Sequence, residues 1–257
     1  MAITLTPMEQ FQVKPLAGME HPLFHIAGHP IYFTNQSLLM VIVVIAASLF
    51  LTLTVKPGRL VPTRGQSMAE ASYEFVANMI HSATGEDGLK FFPFIFTLFM
   101  FVLFCNFFGL IPGSFTVTSQ IAVTFSLAAF VILLVIVVGF MKHGLRFLTL
   151  FVPDAPWYLL ILLAPIEVIS FFTRPISLSV RLFANMLAGH TMLAVFGGFV
   201  VALGTAGGIF TGLALGPMLL IVAIMLLEIL VAFLQAYVFA ILTCIYLSEA
   251  LHLHDQH

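Results

Sequence analysis

The chain has 257 residues, 61% of them hydrophobic and 8% charged, with a mean hydropathy of +1.14. A soluble domain carries about a quarter of its residues as charges, so the composition excludes an ordinary soluble enzyme and indicates an all-α polytopic membrane protein. A net charge of -2 points to neither a nucleic-acid nor an acidic partner, and Cys105 and Cys244 each lie inside an apolar run, against a disulfide framework.

Residues 1–36 are of mixed composition with Pro and His, and read as an extramembrane N-terminal segment. No basic stretch followed by a short apolar run opens the chain, so no secretory signal peptide is expected. The first apolar run, 37–55, is long enough to cross a core about 30 Å thick, and KPGRLVPTR stops it. Residues 67–82 differ in kind. Met68, Phe75, Val76, Met79 and Ile80 can share one helical face, with Glu70, Glu74, Asn78 and Ser82 away from it, which predicts an amphipathic helix lying on the membrane surface. GEDG reads as a turn. The second and third spans are 91–111, closed by PGSFTVTS, and 120–141.

The next apolar stretch runs over 157–196, with Asp154 placed to cap it and Pro156 suited to its first turn. Forty helical residues measure roughly 60 Å, about twice the core thickness, so a continuous helix must tilt steeply. Pro165 and Pro175 allow kinks. A Gly-rich link leads to a last long helix, 217–251, and the tail HLHDQH is polar. No internal repeat and no second domain is apparent. Lys56, Arg59, Arg64, Lys90, Lys142 and Arg146 flank the spans on one side and Lys14 alone the other. The positive-inside rule therefore places those six, the surface helix and the C-terminus on the cytoplasmic (or mitochondrial matrix) side, and the N-terminus outside.

Polar residues inside the spans carry the functional signal. Arg174 and Arg181 are seven apart and nearly share a helical face. Ser177 lies between them, Asn185 follows, and Glu167 falls close to the same face. Arg174 has a plain reading as a snorkelling or structurally paired side chain. Arg181 is deeper, and a buried guanidinium costs from about 3 to over 10 kcal/mol, which argues for a functional role. On the last helix Glu228, Gln235 and Tyr246 fall near one face, with Glu249 beyond them. A lone Gln can be packing glue; a lone Glu is costlier.

If the last two long helices form an antiparallel hairpin, residues at equal depth have a near-constant sum of numbers. That sum is 418 for His190 with Glu228, 416 for Arg181 with Gln235 and 416 for Glu167 with Glu249. Three tiers result: imidazole with carboxylate outside, guanidinium with amide in the middle, two carboxylates inside. Histidine and carboxylates exchange protons, whereas arginine does not deprotonate in a protein. Two half-pathways with a fixed positive charge between them cannot be a simple pore. A carrier is needed, and a partner's carboxylate moving past Arg181 would serve, its ionised form being attracted there.

The stretches SLSVRLFANMLAGH and LLEILVAFLQAYVFAILTCIYL, with weaker support from FFPFIFTLFMFVLFCNFFGLIP and SFTVTS, resemble subunit a of the F-type ATP synthase, over residues 8–254. The resemblance implies long tilted final helices and a stator beside the rotating c-ring, held with the peripheral stalk b subunits and the rest of the complex in the lipid bilayer. It implies that Arg181 faces the c-ring carboxylate, with Asn185 and Gln235 as polar neighbours and Ser177 on the same face. It assigns His190 and Glu228 to the outer half-channel, in the arrangement of mitochondrial and alphaproteobacterial-like members, and Glu167 to the neighbourhood of the inner one. Glu249 and Tyr246 join the inner half-channel by the depth argument and only loosely by motif.

The function so implied is proton conduction coupled to rotation, with ATP made in a separate head. With no P-loop pattern, no active site, cofactor or metal is expected in this chain. The histidines of the tail, His252, His254 and His257, read as a solvated end rather than a metal site. A self-contained channel or transporter would need conduction without a rotor, and transporter folds carry repeats. A redox protein would need paired intramembrane histidines, and His190 is the only clear one deep in a span. A structural scaffold leaves the tiers unexplained. Protons rather than sodium follow from the His190/Glu228 pair. A bacterial inner membrane is favoured because no transit peptide is present, with the mitochondrial inner membrane as the alternative.

Overall fold

The computed structural model describes residues 13, 24–26, 29–54, 63–111, 115–151 and 157–251. The expected cations Lys14, Lys56 and Arg59, the capping Asp154 with Pro156, and the tail histidines lie outside the described residues. Two three-residue strands, β1 (Phe24–Ile26) and β2 (His29–Ile31), form an antiparallel hairpin with Phe24 opposite Ile31. The helices follow: α1 Asn35–Thr54, α2 Arg64–Gly88, α3 Phe92–Gly109, α4 Ile121–His143, α5 Trp157–Ala206, α6 Ile209–Leu213 and α7 Leu215–Leu251. Among the described residues five helical stretches are long and apolar enough to cross a membrane, the last two of 49 and 42 residues.

The structure moves several expected boundaries, each for a local reason. Helix α2 starts at Arg64, where the Thr63 hydroxyl accepts from the Gln66 amide at 3.4 Å as an N-cap. It runs through the GEDG stretch, where the break is confined to Gly85 at φ 66°, a conformation open to glycine. Its buried residues include Ala69, Val76, Met79 and Ile80, while Met68 and Phe75 are exposed. Helix α5 does not stop at 196. Gly197 and Gly198 continue it, Pro165 and Pro175 sit inside it, and it ends only where Gly207 and Gly208 take φ of 72° and 63°. Fifty helical residues extend about 75 Å, well beyond the apolar core, so the need for tilt grows.

Two compact units, interleaved along the chain, make up the described structure. In the first, residues from 1–47, 102–120 and 182–235 include the hairpin, the end of α3, the second half of α5 and the first half of α7. Asn106 Nδ2 donates to the Ala232 carbonyl at 3.1 Å, tying α3 to α7. Residues 115–119, read from sequence as a closing turn, are all buried, and the 3₁₀ turn Val117–Ser119 organises them.

In the second unit, residues from 48–101, 121–181 and 236–257, the core gathers Val135, Phe147, Phe171, Tyr246 and Ala250. Phe147 lies on the 3₁₀ segment Gly144–Phe151, and its ring lies so close over Gly139 that a Cβ there would stand 2.9 Å from Cζ. Glycine at 139 is what lets this ring reach α4. His143 Nε2–H donates to the Leu251 carbonyl at 3.2 Å. Asp87 sits between Lys90 at 3.5 Å and Lys142 at 3.8 Å.

Candidate functional site

In the first unit α5 brings His190 and α7 brings Glu228, both buried at 9% and 5% exposure. Glu228 lies directly against Gly189. A Cβ at Gly189 would overlap Glu228 Oε1 and come within 2.7 Å of its Cδ, so the absent side chain is what makes room for the carboxyl. Neither Glu228 oxygen has a hydrogen-bond partner among the described residues. The expected outer pair is thus brought to one place, with Glu228 beside the residue preceding His190, but no hydrogen bond joins the two. His190 Nε2 instead meets Thr116 Oγ1 at 3.1 Å. A carboxyl held by an ion pair is committed to its charge, whereas this one is free to gain or lose a proton without breaking a protein contact.

Arg174, Ser177, Arg181 and Asn185 are all exposed along α5, while the intervening Leu178, Leu182 and Met186 are buried. The spacing of three to four residues produces that split. Arg181 has no ion-pair or hydrogen-bond partner among the described residues. It stands as a guanidinium on the open face of a membrane-length helix, with nothing among the described residues to neutralise it. Gln235 is buried at 1% exposure, with its Nε2 unpartnered among the described residues.

The inner pair departs from expectation. Glu249 is bound by Arg174, whose Nη1 donates to Oε1 at 3.1 Å and Oε2 at 3.5 Å. Glu167 is half-buried and makes no hydrogen bond or ion pair among the described residues. Equal tilts were assumed in matching Glu249 with Glu167. The structure pairs it with a cation seven residues further along α5, on partly exposed side chains. Tyr246 is buried in the apolar cluster of the second unit, and its hydroxyl has no partner among the described residues. No group of three or more metal-ligating side chains occurs among the described residues.

Sequence reasoning did not single out Thr116, Gly189 or Asn106. A small residue directly before a buried histidine was the one available signal for Gly189. For Thr116 and Asn106, whose partners are 74 and 126 positions away, no local pattern exists.

Comparison with known proteins fixes the family. Residues 37–248 match the family described as ATP synthase A chain. The chain is 56% identical to ATP synthase subunit a of Mesorhizobium japonicum over 247 residues, covering 96% of each chain. It is 57% identical to that of Chelativorans sp., covering 96% of this chain and 97% of the relative. It is 54% identical to that of Pelagibacter ubique, covering 96% and 98%. The chain belongs to the ATP synthase subunit a family, the multi-pass, proton-translocating subunit of the ATP synthase membrane sector.

Proposed function

We propose that this chain is the non-catalytic stator of the sector, placed against a c-ring in a bacterial inner membrane and held there by peripheral stalk b subunits. Protons pass through two offset half-channels. The outer one uses His190 and Glu228. The inner one uses Glu167, with Glu249 and Tyr246 near its mouth. Arg181, flanked by Ser177, Asn185 and Gln235, faces the ring and separates the two. A c-ring carboxylate arriving near Arg181 is held ionised and gives its proton to the inner side. After passing Arg181 it is reprotonated from the outer side. Proton flow in one direction then turns the ring, and ATP is made in the separate head.

The observation that carries this reading is Arg181 itself, exposed and unpaired among the described residues of its own chain, on a helix built for the membrane. A lone guanidinium in lipid costs several kcal/mol or more, and a moving carboxylate that pairs with it intermittently offsets that cost. Structural and transport functions meet in one ion pair made and broken with each step of the ring.

The half-channel assignment is tested at Glu228. In vesicles carrying the assembled complex, Glu228→Gln is expected to reduce ATP-driven proton pumping by at least about 100-fold, the scale of losing a proton-transfer group. Assembly and ATP hydrolysis by the head should persist. Pumping at the native rate would remove Glu228 from the proton path.

A further inference from the structure

We propose that Thr116 is a positioning residue for His190, its hydroxyl holding the imidazole in place through both of its protonation states. The inference rests on the outer half-channel reading above. Thr116 Oγ1 stands 3.1 Å from His190 Nε2, and the two residues are buried at 2% and 9% exposure. The threonine is itself held from two directions. Its carbonyl accepts from Ser119 Oγ at 2.6 Å across the 3₁₀ turn. Its methyl lies against Gly109 at the end of α3, where a Cβ would stand 2.8 Å from Cγ2. Gly109 thus admits the methyl, and the Ser119 bond sets the turn that aims the hydroxyl.

The residue type matters as much as the distance. A backbone carbonyl or a carboxylate in this place could only accept, and an ammonium could only donate. A hydroxyl donates to a bare ring nitrogen and, after rotating, accepts from a protonated one. It can therefore follow a histidine that gains and loses protons without leaving either state unpaired in a buried site, where an unpaired polar group is costly. The titratable groups around it are few. Among the described side chains of this unit, Glu228 on α7 is the only Asp, Glu, Lys or Arg, and Cys105 on α3 is the other buried titratable group. Arg181 lies nine residues earlier on α5.

The experiment measures proton-driven ATP synthesis by the complex in vesicles. The pH of the outer-side compartment is varied while the total driving force is held constant. Thr116→Val, Thr116→Ala, Thr116→Ser and Glu228→Gln are compared with the native chain, with assembly checked in each. Thr116→Val is expected to lower the rate about tenfold, the scale of removing a histidine's orienting partner. The hydroxyl pairs with the neutral and the protonated ring alike, so the loss should be of similar size across the outer-pH range and the profile should keep its midpoint. Thr116→Ser, which keeps the hydroxyl, should restore the rate. Thr116→Ala carries the same readout if the valine variant does not assemble.

A native rate without the hydroxyl overturns the proposal. So does a displaced profile, which marks a partner for one protonation state alone, and so does a serine variant as impaired as the valine, which marks a packing role. Native synthesis in Glu228→Gln would instead overturn the half-channel assignment on which the proposal rests.

Discussion

Replacing Arg181 by alanine is expected to end ATP-driven proton pumping, with a loss of at least about 100-fold, while the complex assembles and its head continues to hydrolyse ATP. Removing one member of a close charge pair in a poorly solvated site costs about 3–5 kcal/mol, and each 1.4 kcal/mol is a factor of ten. A passing carboxylate would then keep its proton through the whole turn, and rotation would no longer release one. Arg181→Lys is expected to fail as well, although the charge is kept. A guanidinium presents a planar fork of donors that meets a carboxylate in two bonds and stays protonated, whereas an ammonium is a point charge whose proton can leave when poorly solvated. The exposure of Ser177, Arg181 and Asn185 along one side of α5 places the charge where a partner can reach it. ATP-dependent acidification of vesicles, with assembly verified, measures both variants.

Gly189→Val is expected to reduce pumping to background, and Gly189→Ala to reduce it about tenfold. Any Cβ at this position overlaps the Glu228 carboxyl, which must turn away or push α7 outward. Overpacking of this kind costs about 1–3 kcal/mol, so alanine should be partly tolerated, and valine, with two more methyl groups, should not. A shorter acid gives the check. Glu228→Asp withdraws the carboxyl by one methylene, so Gly189→Ala combined with Glu228→Asp should pump better than Gly189→Ala alone. If the double variant is worse than either single one, the two sites act independently and the packing argument fails.

The spans were legible from length and hydropathy because a membrane imposes both. All five are present, α1 and α4 within a few residues of their expected ends. The misjudged ends of α2 and α5 share a cause. Glycine reads as punctuation, but of the glycines in α2, in α5 and just after α5 only Gly85, Gly207 and Gly208 take positive φ, while Gly197 and Gly198 remain helical. The hairpin β1–β2 was not foreseen, since three-residue strands leave no periodic trace.

At the site, the polar stripe of α5 followed from helical spacing, and the structure brings Glu228 to the turn that holds His190. Summing residue numbers carries depth but not charge, and so gave no sign that Glu249 pairs with Arg174. Thr116 escaped notice inside SFTVTS, a run that looks like a turn. Its contact with His190 spans 74 residues and is set by tertiary packing alone.

In the proposed mechanism protons cross only by riding the rotor past Arg181. Downhill proton flux through the native complex in vesicles, before and after a reversible disulfide locks rotor to stator, tests it most directly. Locking is expected to stop the flux, and reducing the disulfide to restore it. Flux that continues at the unlocked rate with the rotor held still would show a continuous path through this chain, and would contradict the role given to Arg181.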